Sequence, residues 1–363
     1  MEIRSNFREP LQDYPWKADV ERLIRWAKPR TGAFHAFIFD LCMSLAYVDS
    51  AKSFEQAFEY CPNCPSQFNG HLGFINLCSP CYENAQIWQY QRAAKPNSGV
   101  LGKLSSEIIL KFIELLLDEI VDTYAIGGSG DADAYLIHED GTHILAEVKS
   151  APLITYPVLI QFPDDQRPHQ AHTFTSSQVR EFSSALYLHD QNHIKLGQPN
   201  SPGWPFKGVV DYFVNSTEQE YSPFFTSWQK ARAAYTTKNK FSPHYYLTNA
   251  SGMPPNVAKT KFGWPIKTAV SDGKTSAGID RTDDIKKGIY QTIKLGIKHR
   301  DDPTIRTALI SNLPAYRHGI DYIMPFNKII WGSKEDIEIR DGYKVLPAKK
   351  TRAIFDYFIT LDR

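Results

Sequence analysis

The spacing of hydrophobic and polar positions predicts a mixture of helices and strands along this chain. Three segments have helical spacing: residues 19–60, 105–121 and 284–299. Four short apolar runs have the length of β-strands: residues 134–137, 144–148, 308–313 and 328–331. Residues 150–283 are rich in Pro, Gly, Asn, Ser and aromatic side chains and have few long periodic runs. The pattern therefore predicts a protein of the α/β or α+β class.

A β-hairpin is predicted between residues 134 and 148, because a Glu139-Asp140-Gly141-Thr142 turn signal separates two apolar runs there. If the loop has two residues, Ala134 lies opposite Glu147, and Asp133 points to the other face of the pair. A longer loop or a bulge shifts the pairing by one residue and brings Asp133 beside Glu147 or Lys149, so the site hypothesis predicts a bulge, a longer turn or a bend at Asp133. The turn therefore decides whether the charged ends of the two strands meet.

Two acids and a lysine are delivered by the open end of this hairpin. Asp133 leads into the first strand, and Glu147 and Lys149 alternate onto one face at the end of the second. Carboxylate and carbonyl oxygens are the ligands that Mg²⁺ prefers, which predicts Mg²⁺ binding by Asp133, Glu147 and the Val148 carbonyl. Lys149 is predicted to orient or activate an attacking water. Asp131 is the alternative first acid, and a solvated hairpin with charged ends is the competing interpretation.

The order of helix, acid-led strand, Glu-x-Lys strand, helix and strand resembles the core of the PD-(D/E)XK nuclease superfamily. The resemblance covers residues 104–149 and 284–331. It implies a mixed central sheet flanked by helices, and it assigns Glu107, at the start of the preceding helix, a carboxylate directed toward the metal. The alternative for Glu107 is a helix-start carboxylate that is favoured by the macrodipole.

Four cysteines form two Cys-x-x-Cys pairs: Cys61 with Cys64 and Cys78 with Cys81. Four thiolates suit a closed, structural Zn²⁺ site. An iron–sulfur cluster needs the same ligands, and two disulfides are disfavoured because no secretory signal precedes them. Such a site is expected to pin a loop, or to present Phe68, Asn69 and His71 to a nucleic acid.

The net charge of +1 hides an asymmetry along the chain. Residues 1–150 carry 13 Lys/Arg and 20 Asp/Glu, whereas residues 151–300 carry 18 and 11. Between 221 and 274, eight basic residues and ten aromatic residues accompany one acid. Cations for phosphates and planar or amide groups for bases predict a nucleic-acid surface there, with Gln229, Lys240, Asn249 and Asn256 as candidates to read base edges. The alternative is a solvated basic face over an aromatic core.

Three regions are predicted: 1–100, helical with the four-cysteine zinc site; 101–150 with 284–363, the nuclease core; and 151–283, a DNA-recognition insertion. No apolar run approaches the ~18 residues that span a membrane, and the N-terminus lacks the apolar core of a signal peptide. We therefore expect no membrane association and a cytoplasmic location.

With its insertion and four-cysteine knuckle, the chain is similar to a stand-alone type II restriction endonuclease of that superfamily. The resemblance implies Mg²⁺-dependent hydrolysis of double-stranded DNA at a short specific sequence, in a bacterium or archaeon. It also implies a homodimer on a palindromic site, and a cognate methyltransferase that acts on the same sequence but need not bind the nuclease. Two alternatives remain: a DNA repair or junction nuclease with the same core, and a non-catalytic zinc-containing DNA-binding protein.

Overall fold

The computed structural model describes residues 14–53, 57–64, 67–85, 87–93, 98–126, 131–162, 173–248 and 276–362. The helices are α1 (Lys17–Ala27), α2 (Gly32–Ser53), α3 (Ser79–Ala85), α4 (Ser98–Leu116), α5 (Ser176–Val179), α6 (Phe206–Asn215), α7 (Glu218–Thr236), α8 (Thr282–Lys298) and α9 (Gly319–Tyr322). The first strands are β1 (Ala57–Tyr60), β2 (Gly70–Leu72), β3 (Ile120–Ala125), β4 (Ala134–His138), β5 (His143–Val148), β6 (Val158–Gln161), β7 (Thr173–Thr175), β8 (Ser183–His189) and β9 (Asn192–Lys195). The later strands are β10 (Ile305–Ser311), β11 (Ile330–Trp331), β12 (Glu338–Arg340), β13 (Tyr343–Val345), β14 (Arg352–Ala353) and β15 (Tyr357–Thr360).

The chain forms two compact units, where the sequence predicted three regions. The first unit contains Ser105–Ala151 and Gly278–Arg363, and the second contains Asp13–Leu104 and Pro152–Ala277. The predicted N-terminal region and the predicted insertion thus belong to one unit. Two segments that are far apart in sequence fold together in that unit. The hydrophobic pattern of neither segment indicates that it packs against the other.

The first unit is built on a five-stranded mixed sheet in the order β15-β10-β5-β4-β3. Strands β3, β4 and β5 form an antiparallel meander, whereas β5, β10 and β15 run parallel to one another. A parallel neighbour requires a crossover connection, and α8 precedes β10 in that position. The strands predicted at residues 134–148 and 308–313 are present, with β15 at the sheet edge.

Helix α8, which covers most of the segment predicted to be helical, packs on this sheet through one apolar face. Ile285 and Ile289 are buried in one cluster with Leu309 of β10. A Cβ added at Gly288 would lie 2.8 Å from a Leu309 methyl carbon, so the glycine permits the close approach of helix and sheet. Toward its other end, Leu295 of α8 packs with Tyr135 and other buried residues of a second cluster.

A hydrogen-bonded junction joins the ends of the two segments that form the first unit. Ala151 donates to the Asn312 side-chain oxygen at 3.1 Å, and the Asn312 amide donates back to the Ala151 carbonyl at 2.9 Å. Gly278 donates its backbone N–H to the same carbonyl at 2.8 Å. The chain therefore leaves this unit after Ala151 and returns to it at Gly278 beside the same carbonyl group.

The second unit contains a six-stranded antiparallel sheet in the order β7-β1-β2-β6-β8-β9. Buried Asp40 of α2 links several of its parts: the carboxylate accepts from Leu153 N at 3.1 Å, from Ile154 N at 3.0 Å and from Trp228 Nε1 of α7 at 2.7 Å. Burial raises the pKa of Asp40 to about 8, although the Trp228 bond lowers it. An acid can lie in this apolar core because three N–H donors satisfy its carboxyl oxygens.

One helix among the described residues, Gly32–Ser50, is long and apolar enough to cross a membrane by length and composition. The prediction that no apolar run approaches this length is therefore wrong for this segment. In the structure, 83% of that segment is buried inside the protein itself. The core helix of a folded domain has the same composition, and α2 is packed as such a helix.

Helix α4 differs from its prediction at both ends. It begins at Ser98 rather than at Ser105, and it ends at Leu116 rather than near Val121. Residues 120–125 form strand β3, which pairs with β4. The apolar pattern continues from the helix into the strand without a Gly or Pro, so the sequence alone contains no stop signal for the helix.

Candidate functional site

The turn between β4 and β5 has the longer loop that the site hypothesis requires. His138 N donates to Thr142 O at 2.9 Å, and Gly141 adopts the left-handed conformation with φ +83°. This three-residue loop pairs Ala134 with Ala146 and puts Asp133 opposite Glu147. The backbone also bends at Asp133, whose N–H still donates to the Ala146 carbonyl at 3.0 Å. The two-residue alternative is therefore wrong.

Three oxygen-bearing groups converge on the amine of Lys149. Its Nζ lies 3.3 Å from Asp133 Oδ2 and 3.2 Å from the Val148 carbonyl oxygen, and it makes a short bond to Glu147 Oε1. Asp133 Oδ2 also accepts from the backbone N–H of Val148 at 2.9 Å. The ammonium group is thus held by the three oxygens that were predicted to bind a metal ion.

Burial decides the electrostatics of this cluster. The Glu147 side chain is 8% exposed, whereas those of Lys149 and Asp133 are 23% and 41% exposed. Burial, followed by the nearby charge of Asp133, raises the pKa of Glu147 to about 7, against the opposing charge of Lys149. Burial also lowers the pKa of Lys149, but the charges of Asp133 and Glu147 outweigh it and hold that pKa above its ordinary value. Lys149 therefore remains an ammonium ion at neutral pH.

The alternative first acid, Asp131, has different partners. Its carboxylate forms ion pairs with two lysines of α8, Lys294 at 2.9 Å and Lys298 at a shorter distance. The hydrogen bonds from Lys298 and Lys294 lower the pKa of Asp131 to about 2. Both of its oxygens are engaged by α8, so the structure favours Asp133 as the acid that accompanies Glu147 and Lys149.

Glu107 is buried on α4, at 8% exposure. Ser105, two residues earlier, donates its hydroxyl to the Ser150 carbonyl at 2.8 Å, which joins this part of α4 to the residue after Lys149. Glu107 lies well inside a helix that begins at Ser98, so it is not the helix-start carboxylate that the sequence analysis offered as an alternative. Its predicted role toward a metal stays a prediction.

The four cysteines of the second unit converge, and each thiol is free. The sulfurs of Cys61 and Cys81 lie 3.7 Å apart, those of Cys64 and Cys78 lie 3.8 Å apart, and all four lie within 4.8 Å of one another. A tetrahedron with metal–sulfur bonds of ~2.3 Å has sulfur–sulfur edges of about 3.8 Å, whereas a disulfide needs ~2.05 Å. The disulfide alternative is therefore wrong, and the cluster is placed to hold one metal ion such as zinc.

Local structure explains this convergence. Cys61 follows β1 and donates its backbone N–H to Asn69 O at 2.7 Å. Cys78 immediately precedes α3, and Cys81 lies in the first turn of that helix. The prediction that this knuckle presents Phe68, Asn69 and His71 to a nucleic acid is wrong, because these residues are only 1%, 5% and 2% exposed. Phe68 instead belongs to a core cluster with Leu159, Ala185 and Tyr187. The packing of Phe68 therefore fixes its loop to the six-stranded sheet.

The basic and aromatic segment is divided between core and surface. Most of its described aromatic side chains are buried: Tyr221, Phe224, Trp228, Tyr235, Tyr245 and Tyr246. Lys230, Lys238, Lys240 and Gln229 are exposed on α7 or just after it, together with Phe241 at 98% exposure. The predicted base-reading residues Asn249 and Asn256, and the cations from Lys259 to Lys274, lie outside the described residues. The aromatic-core alternative therefore holds for the buried rings, while a basic surface remains at the end of α7.

A polar cluster that no sequence motif indicated lies around Glu83 of α3. His189, Tyr187 and Tyr246 all bond to its carboxylate, although they are more than 100 residues away in sequence. Only the fold brings these residues together, so no spacing rule could have identified them.

Comparisons of this chain with protein-family models, with curated proteins and with solved structures find no match.

Proposed function

We propose that this chain is a Mg²⁺-dependent endonuclease that hydrolyses double-stranded DNA at a specific short sequence, in the manner of a type II restriction enzyme of the PD-(D/E)XK superfamily. One observation carries the proposal: Asp133, Glu147 and the Val148 carbonyl all direct an oxygen at the amine of Lys149. The order of α4, the β3-β4-β5 meander, α8 and β10 supports it, because this is the element order that the superfamily core requires.

The donor set fits a hard divalent cation. Two carboxylates and a backbone carbonyl are oxygen ligands of the kind that Mg²⁺ selects, and they already surround one cationic group. When bound there, the ion supplies charge neutralisation at the phosphate and acidifies an attacking water. Asp133 and Glu147 would hold the ion, and Asp133 is itself held by the Val148 N–H.

Lys149 acts as a donor, because its raised pKa keeps the amine protonated at neutral pH. A lysine in this state cannot take the proton of the water, but it can orient the water or a phosphate oxygen by hydrogen bonding. In the reaction, the water oxygen forms a bond to phosphorus and the bond from phosphorus to a sugar oxygen breaks. The proton lost by the water passes to solvent, and the leaving oxygen is protonated in turn.

The second unit supplies binding groups in this proposal. Lys230, Lys238 and Lys240 at the end of α7 are exposed cations suited to phosphate contacts. Cys61, Cys64, Cys78 and Cys81 would hold Zn²⁺, which would tie the end of β1 to the start of α3; sulfurs within 4.8 Å of one another suit a single ion better than a multi-iron cluster. A homodimer would cut both strands of a palindromic sequence.

The test is incubation of the purified chain with plasmid and bacterial genomic DNA, in Mg²⁺ or in EDTA. We expect discrete fragments in Mg²⁺ only, with the same few bases at every mapped end. A Mg²⁺-dependent smear, or nicking at junctions, would indicate a repair nuclease instead. DNA that is retarded in a gel but never cut would indicate a non-catalytic binding protein and would refute the proposal.

Lys149→Ala and Lys111→Ala form a matched pair of variants for this assay. Lys111 pairs with Glu114 on α4 and is not a member of the Asp133–Glu147–Lys149 cluster. We expect Lys149→Ala to lower the cleavage rate at least ~100-fold and Lys111→Ala to leave it within about twofold. Wild-type cleavage by Lys149→Ala would show that the assigned cluster is not the catalytic centre.

A further inference from the structure

Strands β12 and β13 of the first unit form a hairpin that pairs with no other strand in the described part of the chain. Its register joins three pairs of residues: Glu338 with Val345, Ile339 with Lys344 and Arg340 with Tyr343. Every residue of β12 is exposed, and Ile339 and Tyr343 are 67% and 75% exposed. A two-stranded hairpin is marginally stable in water unless further strands or a helix cover it. The apolar side chains of this hairpin therefore lack the cover that a third strand would give.

The turn of the hairpin determines which backbone groups face its outer edges. Asp341 and Gly342 have φ +51° and φ +81°, as a two-residue type I′ turn requires at both central positions. The two residues that flank such a turn exchange backbone hydrogen bonds, and the next pair along the strands does not. The N–H and C=O groups of Ile339 therefore point away from β13, toward the free edge of β12.

The free edge of β12 is complementary to itself. If two antiparallel copies of the strand meet with a two-fold axis at Ile339, this residue faces the partner's Ile339, and each donates its N–H to the carbonyl of the other. Glu338 then lies opposite the partner's Arg340, and Arg340 lies opposite the partner's Glu338. Within one chain these two side chains already form an ion pair at 2.7 Å, so both lie on one face of the strand. Opposite charges in facing positions stabilise a strand pair.

The outer edge of β13 is not complementary to itself. The same alternation directs the N–H and C=O groups of Lys344 toward that edge, because Lys344 is paired with Ile339. A two-fold pairing of β13 would therefore put Lys344 opposite the partner's Lys344. Like charges in facing positions oppose pairing, and lysine is a common protection of edge strands. The hairpin thus has one protected edge and one self-complementary edge.

The charge of the hairpin argues against DNA as its partner. A two-stranded ribbon has the dimensions to enter the major groove. Residues 334–345, however, contain three basic and four acidic side chains. Phosphates attract a surface that has an excess of cations, and this segment has none. A second copy of the chain, whose charges match those of β12 position by position, fits the edge better.

We propose that two copies of this chain associate through the free edges of β12, with a two-fold axis at Ile339, and form one four-stranded antiparallel sheet. Its strand order is β13-β12 of one copy followed by β12-β13 of the other. The two Ile339 side chains lie side by side on one face, and the facing glutamates and arginines lie on the other. The use of this dimer, to cut both strands of a palindrome, rests on the proposed function, whereas the interface rests on the hairpin alone.

The size of the interface sets the expected affinity. A strand edge of three residues buries less surface than the ~800 Å² per partner of a stable complex. We therefore expect weak association in solution, with a dissociation constant of about 10–100 µM. Two copies bound to the halves of one DNA site would associate more completely, because the DNA raises their effective concentration.

The first test is analytical ultracentrifugation of the purified chain without DNA, at about 1–500 µM. We expect the mass of the wild-type protein to rise from 41.4 kDa toward twice that value as its concentration increases. Ile339→Pro removes the N–H at the free edge and spares the bonds within the hairpin, since proline is tolerated in an edge strand at such a position. This variant should stay monomeric. A monomeric wild-type protein, or a dimer that Ile339→Pro leaves unchanged, would overturn the proposal.

Charge reversal tests the predicted pairing of side chains. In a dimer of Glu338→Arg, or in one of Arg340→Glu, like charges face each other at both positions, so each variant should self-associate about tenfold or more weakly than wild type. An equimolar mixture of the two variants should regain wild-type association, because one copy then presents two arginines and the other two glutamates. A fluorescent label on one variant allows its sedimentation to be followed in the mixture.

The control is Glu139→Arg, the same change at an exposed residue in the β4–β5 turn, which should sediment as wild type. Association that survives both single reversals, or a mixture that fails to regain it, would refute the interface. Recovery in the mixture also shows that both variants are folded. Because these measurements involve neither DNA nor cleavage, failure of the nuclease assignment would not alter them, and a monomeric result would leave that assignment to its own test.

Discussion

At the residue scale, the proposed catalytic cluster depends on one feature of its turn. The three-residue loop with left-handed Gly141 sets the register that puts Asp133 opposite Glu147. A shift of one residue would turn every side chain of β4 to the other face of the sheet. The Val148 N–H then fixes the Asp133 carboxylate, and burial brings the pKa of Glu147 to about 7.

The raised pKa of Glu147 predicts a pH-dependent cost to stability. Its ordinary pKa is 4.5, so the folded protein holds this proton more tightly than the unfolded chain between about pH 4.5 and 7. The associated stability is present below the ordinary value and is lost as pH rises through about 7. We therefore expect Glu147→Gln to raise the free energy of unfolding by about 1–3 kcal/mol at pH 8, and by much less at pH 5.

Urea unfolding at the two pH values measures this effect, with Glu139→Gln as control. Glu139 is exposed in the turn of the same hairpin, so its substitution should change the free energy of unfolding by less than ~0.5 kcal/mol at either pH. A Glu147→Gln protein that is destabilised at pH 8 would show that the ion pair with Lys149 outweighs burial.

At the scale of secondary structure elements, two local devices hold the sites in place. The first is the junction at Gly278, where the chain returns to the first unit. The second is the cysteine cluster, which lies at the start of α3. The junction requires glycine at position 278, and the cluster requires cysteine at each of its four positions. Both can be tested by one substitution and a matched control.

Gly278→Ala should destabilise the first unit. Gly278 has φ +55°, and a Cβ there would lie 2.5 Å from the Leu313 carbonyl oxygen. Strain and overlap together should lower the free energy of unfolding by about 2 kcal/mol or more. Gly102→Ala is the control, because Gly102 lies in helix α4 with nothing within 4 Å of an added Cβ. That substitution should stabilise by about 0.5–1 kcal/mol. Equal effects from both changes would contradict the described junction.

Cys78→Ser should remove the metal from the second unit, because a tetrahedral site loses one of four thiolates. Elemental analysis by mass spectrometry should find about one zinc per wild-type chain and much less than one in the variant. Cys42→Ala is the matched control, since Cys42 is a buried, free thiol of α2 outside the cluster. A Cys78→Ser chain with a full equivalent of zinc would contradict the assignment.

At the scale of the whole molecule, short-range patterns in the sequence predicted the first unit well and the second unit poorly. Periodicity located α8, β4, β5 and β10, because each has an apolar face that its own sequence reveals. The same patterns did not indicate that residues 13–104 and 152–277 form one unit, since that depends on long-range contacts such as Asp40 with Trp228.

The candidate sites divide in the same way. Asp133, Glu147, Lys149 and the four cysteines could be selected because motif spacing brings them close. Buried rings such as Trp228 and Tyr235 were mistaken for a binding surface, because composition does not distinguish an aromatic core from an exposed stack. The Glu83–His189 pair, 106 residues apart, has no sequence signature at all.

The most direct test of the proposed catalytic centre compares Asp133→Asn with Asp131→Asn in plasmid cleavage with Mg²⁺. The two variants carry the same substitution two residues apart, but Asp133 contacts Lys149, whereas Asp131 contacts Lys294 and Lys298. We predict that Asp133→Asn cuts at least ~100-fold more slowly than wild type and that Asp131→Asn cuts within about threefold of it. Full activity in Asp133→Asn, or loss of activity only in Asp131→Asn, would contradict the account.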